Sequence, residues 1–195
     1  MSIIFKNVSF SYGKKQVLKN ISFELQVGER ACLMGGSGAG KTTILRLLAA
    51  LEKPDSGNIS GIPKNGISFV FQENRLLPNL SVIDNLLFVS PDIQRKTFEG
   101  YLNEVGLDGV ADMLPGELSG GMARRVAIVR AVAFSSELLL LDEPFSGLDV
   151  ETRRKTAGFI LKYSGEKTIF AVTHDPFEAE LLKAKIVNIE NLDIF

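Results

Sequence analysis

The sequence predicts an α/β fold with a mostly parallel sheet, an antiparallel β-subdomain at the N-terminus and a helical insertion. Three observations support this prediction. Residues 135–195 alternate strands rich in Leu, Ile and Val with helical segments, a pattern typical of parallel sheets buried on both faces. Residues 1–72 begin with alternating strands, whereas 73–134 lack β-branched runs and have helical spacing. We therefore expect one domain over 1–195, in which 73–134 form a helical subdomain and the other two parts form the α/β core with its β-subdomain.

The first part contains four strand-like segments and one helix. IIFKNVSFSYG (3–13) and KNISFELQVGE (19–29) read as paired alternating strands, and ERACLMG (29–35) reads as a short buried strand. The apolar segment KTTILRLLAALE (41–52) is typical of a helix, and GISFVFQ (66–72) predicts a further strand. A glycine-rich loop lies between the third strand and the helix.

The middle and last parts supply the remaining elements. SVIDNLLFV (81–89) predicts a helix with Ser81 as its N-cap, and a second helix over 94–107 should end at Gly106. The expected later helices are 119–134, 150–164 and 176–184, and the expected later strands are 137–144, 168–174 and 185–190.

Composition excludes several classes of protein. The chain has 195 residues, 45% of them apolar, and 22 basic residues against 23 acidic ones. This balance provides no basic field, so a nucleic-acid partner is not expected. The one cysteine, Cys32, lies in an apolar run and is expected to be a buried hydrophobe. No segment approaches the ~20 apolar residues of a membrane span, and the N-terminus does not read as a signal peptide, so we expect a soluble, cytoplasmic chain.

GGSGAGKTT, at residues 35–43, fits the phosphate-loop pattern G-x-x-x-x-G-K-[ST] and lies between a predicted strand and a predicted helix. Its glycines let backbone N–H groups turn toward phosphate oxygens, and the following helix directs its positive end at the same anion. Lys41 should reach the β- and γ-phosphates, and the Thr42 hydroxyl should bind Mg²⁺. A simple glycine-rich turn would explain the glycines but not the Lys-Thr pair. The expected phosphate contacts are Gly35, Gly36, Ser37, Gly38, Ala39, Gly40, Lys41, Thr42 and Thr43.

LLLLDEP, at 138–144, places two carboxylates where an apolar strand ends. Asp142 could hold Mg²⁺ opposite Thr42, and Glu143 could orient and polarise the attacking water. The alternative is a solvated turn that caps the strand. A phosphate loop upstream favours the functional interpretation.

His174, the only histidine, follows the predicted strand TIFAVT. The carboxyl ends of parallel strands converge on a ligand crevice, so His174 should lie near the phosphates and could donate a hydrogen bond to the γ-phosphate. An exposed structural histidine is the alternative. Gln72 ends another strand, and its amide could reach Mg²⁺ or the attacking water at the junction with the helical part.

A second pair of glycines occurs in ELSGGMARR, at 117–125. This segment begins a predicted helix but lacks the Lys-Thr pair, so it cannot hold Mg²⁺ and the terminal phosphates alone. We interpret it as an incomplete phosphate-contacting site rather than an independent one.

The motifs GGSGAGKTT, FVFQ, LSGGM, LLLLDEP, SGLD and AVTHD occur in this order, and the chain resembles the ATP-binding-cassette (ABC) ATPase domain from about Ile3 to Glu190. The resemblance implies a phosphate-loop NTPase (RecA-like) core, ATP and Mg²⁺ as ligands, and hydrolysis by a head-to-tail dimer, expected to be a homodimer. It also implies a separate transmembrane permease, possible use of a substrate-binding protein, and a location on the inner face of the membrane.

The resemblance assigns roles to further residues. Tyr12 would stack on adenine beside Val17, although a plain strand-edge tyrosine is the alternative. Glu143, His174 and Gln72 would form the catalytic set. The residues expected to act across the dimer are Ser119, Gly120, Gly121 and Asp149.

FVFQENRLLPNLSVIDN is similar to importer cassettes of the nitrate, sulfonate and taurine group, and GMARRVAI is similar to cassettes of lipid-trafficking systems. Two departures stand out: residues 52–69 are short, which could reduce or remove an edge strand, and Met122 replaces the commoner glutamine. A soluble ABC ATPase of DNA repair or translation is the alternative function. A simple kinase or GTPase is disfavoured, because no guanine-reading N-K-x-D is present and LSGGM would have no role in either.

Overall fold

A three-stranded antiparallel sheet forms the N-terminal part of the computed structural model, which describes residues 2–63 and 66–192. Its strands are β1 (Ser2–Tyr12), β2 (Lys15–Gln26) and β4 (Ser56–Ser60), in the order β2-β1-β4. The predicted pairing of the first two strands is confirmed. The short segment 52–69 still supplies an edge strand; Lys64 and Asn65 of that segment lie outside the described residues.

A five-stranded sheet forms the centre of the molecule, and all its described pairings are parallel. The strand order is β5-β6-β7-β3-β8. The strands are β3 (Arg30–Met34), β5 (Ile67–Val70), β6 (Leu138–Asp142), β7 (Thr168–Val172) and β8 (Lys185–Asn188). Every residue of β6 and β7 is buried, which confirms the predicted sheet covered on both faces.

Six helices accompany the sheets within the described ranges. They are α1 (Lys41–Leu48), α2 (Val82–Val89), α3 (Arg95–Glu104), α4 (Gly120–Ala133), α5 (Val150–Tyr163) and α6 (Pro176–Leu181). Ser81 caps α2 as predicted, since its hydroxyl accepts a hydrogen bond from the Asp84 N–H at 3.2 Å. No helix in the described part is long and apolar enough to cross a membrane.

Helix α1 ends earlier than the apolar pattern predicts. Ala50 adopts a φ of 54°, and the N–H of Leu51 bonds to the Arg46 carbonyl at 2.9 Å. This is the Schellman arrangement, which stops a helix by satisfying its last carbonyls and more often uses glycine at the left-handed position. The prediction of a helix to residue 52 was therefore wrong at its C-terminus.

Two hydrophobic clusters cover the two faces of the parallel sheet. Leu138 and Leu140 of β6 face a cluster that contains α1 and the antiparallel sheet, whereas Leu139 and Leu141 face the cluster of α2 to α6. Cys32 is fully buried in the second cluster, as expected. Both clusters pack on the same sheet, so α1 and α4 are packed against opposite faces of the strands that carry the site. The division into a core and a helical subdomain at 73–134 stays a prediction.

Candidate functional site

The phosphate loop runs from the end of β3 to the start of α1, as the sequence predicts. Gly40 has a φ of 94°, and a Cβ at this position would lie 2.6 Å from Cδ2 of the buried Leu18. Gly35 is equally confined, because its Cβ would lie 2.4 Å from Cγ2 of Ile189. Glycine is needed at both positions because the loop must turn tightly against β2 and against the segment after β8.

Lys41, the first residue of α1, bends back over this loop. Its Nζ donates to the carbonyls of Gly35 and Gly36, both at 2.8 Å. The ammonium group therefore lies at the mouth of the loop, beside the positive end of α1. This is a concentrated positive charge that suits a multiply charged phosphate chain.

An open cleft of about 540 Å³ lies above the loop. Its lining includes residues from the ends of three neighbouring parallel strands: Gln72 after β5, Asp142 and Glu143 at the end of β6, and His174 after β7. The sheet order places these ends beside the phosphate loop, because β7 pairs with both β6 and β3. The structure thus brings Gln72, Glu143 and His174 to one cleft, and their catalytic roles stay predictions.

Asp142 is almost fully buried at the floor of the cleft, with 2% of its surface exposed. Burial raises the pKa of this carboxyl, while the Thr42 hydroxyl and the charges of Arg124 and Lys41 act in the opposite direction. A buried carboxylate next to a hydroxyl supplies hard oxygen ligands, so the donor set fits Mg²⁺ bound largely through phosphates and water.

Glu143 lies beside Asp142 and is half-buried. Its backbone has a φ of 46°, and its N–H donates to the Val172 carbonyl at 2.9 Å. The carboxylate Oε1 lies 3.6 Å from Nδ1 of His174, whose ring is largely exposed. Glu143 and His174 therefore face the same open space above the loop.

The segment that carries His174 is held by α5. Arg153 of this helix donates one hydrogen bond to Oδ2 of Asp175 and one to the Leu148 carbonyl, both at 2.9 Å. Asp149, the N-cap of α5, accepts from the Thr152 N–H at 2.9 Å. The loop SGLD and the end of β7 are thus joined by one guanidinium group.

The expected adenine side of the cleft comes from the hairpin between β1 and β2. Tyr12 and Val17 both line the cleft, and Tyr12 is 45% exposed. Lys15 lines it as well and was missed by sequence reasoning. The available signal was the short turn after Tyr12, which pairs Tyr12 directly with Lys15 across the hairpin.

The residues expected to act across a dimer do not line this cleft. Ser119 caps α4 and accepts a hydrogen bond from the Met122 N–H at 3.3 Å, and its side chain is exposed together with Gly120. Gly121 packs against the SGLD loop, since a Cβ there would lie 3.2 Å from Cδ2 of Leu148. The structure packs Gly121 of LSGG against Leu148 of SGLD, and neither segment lines the cleft above the chain's own phosphate loop.

Arg124 is a second residue that sequence reasoning missed. Although charged, it has only 3% of its surface exposed and lies on α4 behind the cleft. Burial lowers the pKa of its guanidinium, and the charges of Asp142 and Glu143 oppose this shift. Arg124 lies in a helical segment with many apolar residues. The nearby sequence therefore does not indicate which main-chain carbonyls its guanidinium contacts.

The site therefore combines a phosphate cradle, an oxygen donor set for a cation and a carboxylate beside a histidine. This set defines a phosphate-loop nucleotide hydrolase, because phosphoryl transfer needs positioning and charge stabilisation more than a covalent catalyst.

Comparison with known proteins specifies the family. Residues 18–146 match the family described as ABC transporter. The aliphatic sulfonates import ATP-binding protein SsuB 1 of Pseudomonas syringae pv. syringae (strain B728a) is 42% identical over 180 residues, which cover 91% of this chain and 76% of that protein. The sulfate/thiosulfate import ATP-binding protein CysA of Synechocystis sp. (strain PCC 6803) is 38% identical over 208 residues, covering 98% of this chain and 59% of that one.

Among solved structures, the dimeric structure of MJ0796, a bacterial ABC transporter cassette, has a TM-score of 0.84 at 30% identity, covering 98% of this chain and 97% of that one. A dimeric post-hydrolysis state of MJ0796 bound to ADP and Pi has a TM-score of 0.81 at 30% identity, covering 95% and 93% of the two chains. The chain belongs to the ABC transporter family. It is an ATP-binding subunit that hydrolyses ATP. The predicted resemblance to the sulfonate group is confirmed by the sulfonate relatives.

Proposed function

We propose that the chain is the ATPase subunit of an importer, and that two copies bind two MgATP head to tail and drive a separate membrane permease. The observation that carries this proposal is the division of the motifs in space. The cleft contains the phosphate loop, Asp142, Glu143 and His174, whereas Ser119 and the SGLD loop do not line it. A second copy would supply them, as the dimeric structures of MJ0796 suggest.

Within each site, backbone N–H groups of the loop and Lys41 hold the β- and γ-phosphates. Thr42, Asp142 and Gln72 are the groups that would hold Mg²⁺, whose charge would neutralise the phosphate oxygens when it is bound. Tyr12, with Val17 and Lys15 beside it, would contact the base and its attached phosphates. The positive charge of Lys41 is complementary to the phosphates, and Tyr12 and Val17 offer an apolar surface for the base.

Hydrolysis is assigned to Glu143 and His174. The Glu143 carboxylate accepts a proton from water as the water attacks the γ-phosphorus, and the bond from that phosphorus to the β-phosphate oxygen breaks. His174 donates a hydrogen bond to a γ-phosphate oxygen and Gln72 helps to place the water. Their contribution is orientation and charge stabilisation, so small displacements should affect the rate strongly.

The partner and direction of transport rest on the relatives. The SsuB and CysA proteins are named for import of sulfonates and of sulfate or thiosulfate. We extend import to this chain and place it on the cytoplasmic face of the membrane through its permease. We assign selection of the cargo to the permease or to a binding protein. A role in DNA repair or translation has no support from these relatives.

Permease docking is assigned to the segment after Gln72. Leu77 and Pro78 are exposed, whereas Leu76 is half-buried against the helical cluster and Leu86 is fully buried. Leu77 is therefore the better target for substitution. Charged replacement of Leu77 should reduce co-purification with a co-expressed permease while leaving the basal ATPase unchanged; undiminished association would refute this docking site.

The central experiment is Glu143→Gln. ATP hydrolysis should fall at least about 100-fold, because the water loses its proton acceptor, while calorimetric ATP affinity stays within about threefold and ATP-dependent dimers accumulate. Glu137→Gln is the matched control, since Glu137 lies exposed before β6, at the opposite end of the same strand. Near-normal turnover by Glu143→Gln would contradict the assignment of Glu143 as the group that polarises the attacking water.

A further inference from the structure

Arg124 connects the two strand ends that carry Gln72 and Glu143. Its Nη2 donates to the carbonyls of Asp142 and Glu143, the latter at 2.6 Å, and its Nε donates to the Pro144 carbonyl at 3.2 Å. Its Nη1 donates to the carbonyls that follow β5, those of Phe71 and of Gln72. One guanidinium group thus binds main-chain oxygens at the ends of β5 and β6.

Only a planar group with several donors can serve both segments at once. The guanidinium carries five N–H donors in a rigid fork, whereas a lysine ammonium is a compact charge with three. Arg124 is 3% exposed, so carbonyls released by its removal would have little access to water. The residue also lies on α4, four positions after the Gly120 that begins this helix.

Among the residues whose carbonyls Arg124 binds, Glu143 is the one proposed to activate the attacking water. Its φ of 46° is uncommon for a residue with a side chain, and three hydrogen bonds hold its main chain: its N–H donates to the Val172 carbonyl, and its carbonyl accepts from Arg124 and from the Ser146 N–H at 3.2 Å. This conformation turns the chain at the end of β6, so that the carboxylate faces His174 in the cleft. The direction of the Glu143 side chain therefore depends on the conformation of the peptide unit to which Arg124 donates.

A neighbouring arginine shows that this arrangement is specific. Arg130 lies on the same helix and is also partly buried, and it donates to the carbonyls of Asn74 and Arg75 and to Oδ1 of Asn85. None of its contacts reaches residues 142–144. Both arginines hold the segment after β5 to α4, and Arg124 alone among them reaches the end of β6.

We propose that Arg124 is a positioning residue for hydrolysis, which holds the Glu143 peptide unit in its left-handed conformation and ties it to Gln72 and to the helix that begins at LSGG. The inference rests on the proposed role of Glu143. It assigns to α4 a direct mechanical connection with the water-polarising carboxylate. Movement of this helix on dimerisation would then reach the catalytic groups through one side chain.

The test compares Arg124→Lys and Arg124→Gln with the control Arg130→Lys. For the Arg124 variants, kcat should fall roughly 10- to 100-fold, the loss that a small misplacement of a reacting group produces. KM and calorimetric ATP affinity should stay within about threefold, because the phosphate loop is untouched. Arg130→Lys should lose thermal stability to a similar extent and keep kcat within about twofold. An equal loss of kcat in Arg130→Lys would overturn the proposal, as would a loss of ATP binding in both Arg124 variants.

A double-mutant cycle with Glu143→Gln distinguishes a positioning role of Arg124 from a purely structural one. In the Glu143→Gln background, adding Arg124→Lys should lower the residual hydrolysis by less than about twofold, because the carboxylate that Arg124 places is already gone. Full additivity of the two losses would overturn the proposal. If Arg124→Lys keeps wild-type kcat while Glu143→Gln is inactive, this inference fails and the proposed function stands; if Glu143→Gln is active, the proposed function fails first.

Discussion

Lys41 is the side chain on which nucleotide affinity depends at the residue scale. Its ammonium lies against the carbonyls of Gly35 and Gly36 at the start of α1, where a phosphate chain would lie between loop and helix. Charge-assisted hydrogen bonds of this kind contribute about 1.5–3 kcal/mol. A substitution of Lys41 should therefore weaken ATP binding, whereas a substitution of Glu143 should slow hydrolysis.

We predict that Lys41→Ala weakens ATP affinity about 10- to 100-fold, as the loss of a charged hydrogen bond implies. Isothermal calorimetry with MgATP measures this directly. Lys53→Ala is the control, because Lys53 is exposed and does not line the cleft. Unchanged affinity in Lys41→Ala would contradict the proposed role of the loop.

Cys32 leads to a second prediction at this scale. The thiol is fully buried in β3, and burial, with a smaller effect of the Glu178 charge, raises its pKa to about 12. Because the thiolate is the reactive form, a thiol reagent should not label the native protein at pH 8 within an hour. It should label one thiol per chain in guanidinium chloride. A Lys53→Cys variant should give one fast label in the native state, and fast native labelling of the parent chain would refute the prediction.

At the scale of elements, α4 carries two separable functions at its two ends. Its N-terminus presents Ser119 for another subunit, while the Ser119 hydroxyl also accepts the cap hydrogen bond from Met122. Its C-terminus is held by Lys167, whose Nζ donates to the carbonyls of Val132 and Phe134 at 2.6 and 2.7 Å. Substitutions can address each end without disturbing the other.

Ser119→Asp should retain the helix cap, since Asp caps as well as Ser does. Its charge would face the partner's γ-phosphate and lower kcat about 100-fold, a repulsion of roughly 3 kcal/mol, with ATP affinity of the single chain unchanged. Ser119→Thr keeps both the hydroxyl and the cap and should stay within a few-fold of wild type. Full activity of Ser119→Asp in a steady-state ATPase assay would rule out the composite site.

Lys167 gives a pH prediction. Burial lowers its pKa in the folded chain to about 8, below the unfolded value near 10.4. Between these two values the unfolded chain binds more protons, so stability rises with pH over this window relative to a variant without the amine. Urea unfolding of wild type and Lys167→Met at pH 7.5 and 9.5 should show a relative gain on the order of 1 kcal/mol for wild type, less than the full shift implies because water reaches part of the amine. Lys53→Met is the control; a relative loss of wild-type stability at the higher pH would contradict the assignment.

At the scale of the whole molecule, the surface with LSGG and SGLD and the cleft with the phosphate loop are distinct parts of one chain. A dimer with two-fold symmetry would pair each surface with the other chain's cleft and form two complete sites. Specific ATPase activity should therefore rise with protein concentration over the range in which dimers form.

At an ATP concentration too low to occupy the Lys41→Ala loop, mixing two variants with complementary defects tests this assembly most directly. A Lys41→Ala chain keeps its LSGG surface, and a Ser119→Asp chain keeps its phosphate loop, so a mixed dimer contains one intact site and one doubly damaged site. An equal mixture should recover about a quarter of wild-type activity, because half of the dimers are mixed and each has one of two sites. Each variant alone serves as the control. Absence of any recovery would contradict sites shared between two chains.

Much of the fold was predictable because its signals are local. The apolar runs of β6 and β7, the caps at Ser81 and Ser119, and the loop before Lys41 each depend on residues close in the chain. The strand β4 was harder to foresee, since SGNIS contains one apolar residue and pairs only because β1 offers it an edge.

The chemical groups of this protein, including its phosphate loop, the Asp142–Glu143 pair and His174, were readable from residue types and spacing, because each motif is a short stretch whose chemistry does not depend on distant contacts. Tertiary structure alone decided how they meet. The order β5-β6-β7-β3 brought Gln72, Glu143 and His174 to one cleft, and the packing of α4 put Arg124 against the carbonyls behind it. These relations join residues dozens of positions apart, and they follow from which hydrophobic faces bury one another, which no local pattern records.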